Sequence, residues 1–134
     1  MKLSAVTPPW LFELTRFGVV GVVGFVANAV SVGILAKAVN LYPAGFLSWV
    51  IAATVTWFLN RIWTFSGQTH GPVLRQWIHF VGANSFGLLL YYAAYATAIA
   101  LIPWSATPPI FAVAGGSIAG LVANFSLSRR YVFR

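Results

Sequence analysis

Asn60-Arg61-Ile62-Trp63-Thr64-Phe65 ends one long apolar run, and Ser128-Arg129-Arg130-Tyr131-Val132-Phe133 ends another. Aligned, the two hexapeptides share a small polar residue, an arginine, any residue, an aromatic ring, a β-branched residue and a phenylalanine. A cationic, aromatic edge on an apolar helix suits a membrane-water interface, where arginine heads reach headgroup phosphates while Trp and Tyr settle at headgroup depth. The recurrence marks one structural unit used twice, and the fold follows: helices that cross a bilayer and stop at these edges.

Composition agrees. Of 134 residues 60% are hydrophobic and 7% charged, against about 25% charged in a soluble domain. The chain is therefore expected to be an all-α integral membrane protein. Eight Lys and Arg face a single acid, Glu13, a balance that suits anionic lipid or an anionic substrate. Nucleic acid is the weaker partner, because a basic soluble binder does not carry this much continuous apolar sequence. The absence of cysteine excludes disulfides, thiolate metal sites and thiol catalysis.

Working outward from the two edges, apolar stretches of about 20 residues, each sufficient to cross a bilayer, place four spans at about 17–36, 44–63, 78–102 and 110–128. Trp10 to Leu14 reads as a lead-in lying along the bilayer surface. A cleaved signal peptide competes for the first span, since Lys2 and Arg16 precede it and Ala27-Asn28-Ala29 resembles a cleavage site; the apolar run continues to Ala36, which favours an uncleaved anchor. Lys37 to Pro43 is a turn, Ser66 to Pro72 a breaker-rich connection, and Pro103 to Pro109 a loop. Seven of the eight cations fall on the side holding both termini and the central connection, and only Lys37 on the other, so both termini are expected in the cytoplasm. Two up-and-down pairs of the same polarity make a parallel repeat: Phe17 to Phe80 and Gly24 to Gly87 share one offset, Arg61 to Arg129 one five residues longer.

Small and polar residues gather on helix faces at 100° per residue: Gly21, Gly24, Asn28 and Ser31; Thr56, Asn60, Trp63 and Thr64; Asn84, Gly87, Tyr91 and Tyr95; Ser117, Gly120, Asn124 and Ser128. Helix packing explains much of this, with Gly116 and Gly120 at GxxxG spacing. Asn28, Asn84 and Asn124 exceed what adhesion needs, and with Asn60 and Ser128 they outline a candidate polar path. Enzyme chemistry is not expected: the one carboxylate lies outside the spans, and His70 and His79 lack a carboxylate partner for acid-base work or a metal site. No cofactor is implied. His79 reads as an interfacial helix-start residue.

Arg16-Phe17 with Gly18, Gly21, Gly24 and Asn28, the Asn60 to Phe65 edge, Phe80 onward, and Asn124 with Arg129-Arg130-Tyr131-Val132-Phe133 together resemble the GtrA-like family of small four-helix membrane proteins. The resemblance covers about residues 14 to 134. It implies movement of a polyprenyl-phosphate-linked sugar across the bacterial cytoplasmic membrane for glycosylation of surface polysaccharides. Ser128 departs from the family pattern, in which Asn precedes this arginine, leaving Asn124 as the polar partner one turn earlier. In that role Arg61, Arg129 and Arg130, with Arg16, would capture the phosphate through bidentate guanidinium bonds. Trp63, Phe65, Tyr91, Tyr131 and Phe133 would border the site. Without an acid in the spans for a proton relay, translocation is expected to be gradient-driven. Four helices are a thin wall for a sugar, which points either to a homodimer with the path at or between protomers, or to a membrane adaptor for a polyprenyl-phosphate glycosyltransferase. A pore-forming or stress-related protein has little beyond size in its favour.

Overall fold

The computed structural model describes residues 7–68, 71–102 and 110–133. The loop 103–109, Arg134 and the side chain of Tyr95 lie outside the described residues. Two compact units divide the chain, Met1–Gln68 and Thr69–Arg134.

The first unit is a helix pair. Helix α1, Pro9–Leu35, starts on Pro9, whose missing N–H costs nothing in a first turn. Trp10 to Leu14 are therefore its opening turns and not a separate surface segment, because nothing between Glu13 and Phe17 breaks the backbone ladder. After Val39, whose amide donates to the Leu35 carbonyl at 3.0 Å, helix α2 runs Leu41–Leu59. It begins earlier than its uncharged stretch, since Pro43 fits in a first turn where no amide is needed. Both are long and apolar enough to cross a membrane, and only 11% and 28% of their most apolar windows are buried. Val22, Phe25 and Ile34 face outward at more than 60% exposure, a surface suited to hydrocarbon and not to water.

The second unit pairs α3, Val73–Leu101, with α4, Ile110–Leu127. Pro72 precedes α3, so the helix starts five residues before its uncharged stretch and carries Arg75 and His79 on its opening turns. Close packing rests on glycine. A Cβ on Gly116 would stand 2.8 Å from the Tyr91 carbonyl, and one on Gly120 would stand 3.2 Å from that of Gly87. In the first unit Gly24 takes the Thr56 methyl, and in the second Gly87 takes the Asn124 amide, each where a Cβ would collide. Between lipid-solvated helices such backbone approach is the main source of adhesion.

Each pair closes on a π-helical turn. Asn60–Thr64 continues α2, with the Phe65 amide donating to the Asn60 carbonyl at 2.9 Å; Ser128–Val132 continues α4, with Phe133 donating to Ser128 at 2.9 Å. One extra residue per turn brings positions five apart into line. Asn60, Thr64 and Phe65 thus all point inward, as do Ser128, Val132 and Phe133. Phe65 meets Phe17 edge-on at 6.3 Å and 62°, and Phe133 meets Phe80 at 5.8 Å and 68°.

Candidate functional site

The extra residue that turns Phe65 and Phe133 inward also turns their preceding rings outward. Trp63 is 42% exposed and Tyr131 56%. Trp63 therefore does not share a face with Asn60 and Thr64, as uniform 100° steps predict, because the turn advances by less than an α-helical step per residue. Phe65 and Phe133, at 1% and 0% exposure, do not border an open site; they are the interior plugs that hold each edge in place. Tyr91 is also structural, with its carbonyl and ring against Gly116 and its ring edge-on to Tyr92 at 5.2 Å. Of the five aromatic border residues, Trp63 and Tyr131 face outward beside cations.

Each helix stops just past its π-turn and leaves its last carbonyls without a helical partner, and a side chain from the facing helix serves each edge. Arg16 Nη1 donates to the Trp63 carbonyl at 3.3 Å, and its guanidinium lies 5.6 Å from the Trp63 ring centre. Gln76 Nε2 donates to the Val132 carbonyl at 3.3 Å while itself 4% exposed. Arg130 stacks over Tyr131 at 5.5 Å. Arg61 is half-buried, and Arg129 and Arg130 are exposed. A guanidinium on a ring face keeps its N–H edge directed outward, the arrangement that meets phosphate oxygens.

The polar-path residues divide between the two units. Asn60 is buried and accepts from Thr64 Oγ1 at 2.7 Å. Ser128 is fully buried, and its hydroxyl makes no hydrogen bond. Neither lines an opening; they sit beneath the π-turns because those turns draw them inward. Asn84 donates to the Phe80 carbonyl at 3.1 Å and accepts from Asn124 Nδ2 at 3.3 Å. The Oδ1 atoms of Asn28 and Asn124 are buried without a hydrogen bond. The structure thus joins Asn84 to Asn124, and leaves Asn28 with spare acceptor capacity in the first unit.

Sequence reading passed over Gln76 and gave Arg75 and His79 no binding role. The signal was spacing: Arg75, His79, Gly82 and Phe86 recur at i, i+4, i+7 and i+11, one stripe of α3.

Apolar helix pairs closed by cation-and-ring edges define an all-helical membrane protein. More particularly, the chain belongs to the GtrA/DPMS transmembrane domain family, whose profile matches residues 16–133. A search of the curated proteins finds no match.

Proposed function

We propose that this chain translocates a polyprenyl-phosphate-linked sugar across the bacterial cytoplasmic membrane, for glycosylation of cell-surface polysaccharide. The observation that carries this reading is the doubled edge: in each unit a π-turn buries its phenylalanine and presents an outward ring beside an arginine, Arg16 of the facing helix at Trp63 and the turn's own Arg130 at Tyr131. One edge would anchor a helix; two edges of the same construction suit a substrate whose phosphate is handed on. Membership of the GtrA/DPMS transmembrane family supports the substrate class. Four spans as two parallel pairs, with both termini cytoplasmic, place both edges at the loading face, and the lipid tail stays in the bilayer. Movement then needs two arrangements of the halves, each open to one face.

The use of the amides favours a second reading. Asn60 bonds to Thr64 and Asn84 bonds to Asn124, and amides that bond to each other serve packing as well as passage. A membrane adaptor holding a polyprenyl-phosphate glycosyltransferase requires no more than this. Purified protein in vesicles decides between them. Flipping of a labelled polyprenyl-phosphate sugar by this chain alone, lost in the Arg129→Ala/Arg130→Ala variant, is expected; vesicles that never flip, while the glycosyltransferase co-purifies, would establish the adaptor.

A further inference from the structure

A groove of about 720 Å³ runs along the second unit between α3 and the end of α4. Arg75, His79 and Tyr131 form its outer end, and Ile78, Gly82 and Phe86 line its continuation along α3, with Leu127 opposite. A polar recess of about 300 Å³ adjoins that outer end through the same Arg75, His79 and Tyr131. Arg75 and His79 are exposed, and the sequence from Thr69 onward contains no Asp or Glu.

We infer that this groove binds the phosphate and the first isoprene units of one polyprenyl-phosphate chain. Charge and shape point to the same occupant. The unit has no Asp or Glu side chain to neutralise Arg75, and its fork of N–H donors suits a terminal phosphate. The His79 ring and Tyr131 hydroxyl add donors on the same side. From Ile78 to Phe86 is about 12 Å along a helix axis, so the apolar part descends about two-fifths of the roughly 30 Å hydrocarbon core. A free phosphate leaves that length empty. The volume lies within the range of about 300–1,000 Å³ that holds one small ligand, which suits the start of a single chain better than a two-chain phospholipid.

This inference rests on the translocation reading for its substrate class, and the test separates the two. The full chain in phosphatidylcholine vesicles is photolabelled with benzophenone-tagged farnesyl phosphate, and the labelled segments are mapped by mass spectrometry. Label is expected between residues 75 and 86, displaced by untagged farnesyl phosphate and not by inorganic phosphate. Arg75→Gln should lower it about tenfold, the loss of one charge-assisted bond. Gly82→Trp puts a ring into the groove, and since a Cβ there meets nothing within 4 Å, it should remove label without lowering the unfolding temperature. Equal displacement by phosphatidylglycerol would overturn the inference in favour of generic anionic lipid. Label beside Arg61 or Arg129 but not in the groove would overturn it and leave the translocation reading intact, whereas no label in any segment would overturn both.

Discussion

Phe65 and Tyr131 show how far neighbouring aromatics of the edges differ in role. Phe65 and Phe133 fill the ends of their helix pairs, each in an edge-on ring contact worth about 0.5–1.5 kcal/mol beyond burial. Truncating Phe133 to Ala leaves a ring-sized void against Phe80, and the loss of packing should lower unfolding stability by about 2 kcal/mol or more. Tyr131→Ala removes a ring that is mostly exposed and should move stability by about 0.5 kcal/mol or less. Sugar transfer, in contrast, should fall in Tyr131→Ala, because the ring that aligns Arg130 is gone. Unfolding of both purified variants in detergent, set beside transfer in cells, checks the pair. Comparable stability losses would assign the two rings the same structural job.

At the scale of the element, the π-turn is the device that separates inside from outside. It is an α-helical turn with one residue more, and Ile62, 53% exposed, is the residue that can be removed without emptying the interior. Deleting Ile62 restores α-helical register between Asn60 and Phe65 and keeps Phe65 against Phe17. It shifts the Trp63 carbonyl, which accepts from Arg16 and Ser66, and re-aims Arg61. Stability should therefore change by about 1 kcal/mol or less, while transfer is lost; full transfer by this deletion variant would show that the turn is incidental. Helix contact makes a separate demand. Gly116→Ala sets a methyl 2.8 Å from the Tyr91 carbonyl, a backbone atom that cannot yield alone, and should destabilise by about 1–3 kcal/mol. Gly21→Ala meets nothing within 4 Å and should be neutral or gain slightly through helix propensity. Thermal unfolding of the two alanine variants provides the comparison.

Across the whole molecule, the charge asymmetry makes the topology testable. Four spans would put seven of the eight cations on the side of the termini and the central connection, and positively charged short loops are retained in the cytoplasm. Reporters fused after Gly67 and at the C-terminus should both report cytoplasm, and one inserted at Lys37 the outer face. A cytoplasmic signal at Lys37 would rule out the paired-span arrangement on which the two loading edges depend.

Composition and apolar run length were enough to predict a helical membrane protein, and the recurring Asn60 and Ser128 hexapeptides carried the family resemblance that the match over residues 16–133 bears out, because these are local properties of the chain. Glycine at 24, 87, 116 and 120 already pointed to close helix contact. The inward aim of Phe65 and Phe133 was not legible, since a helix admits an extra residue only where a ring on another helix, Phe17 or Phe80, receives the displaced side chain. Nor was the pairing of Asn84 with Asn124, residues 40 apart whose meeting depends on how closely Gly87 lets α4 approach. Arg75 and His79 looked like ordinary interfacial cations in sequence; a groove beside them exists only because the crossing of α3 and α4 leaves space there, and that crossing is set by tertiary packing.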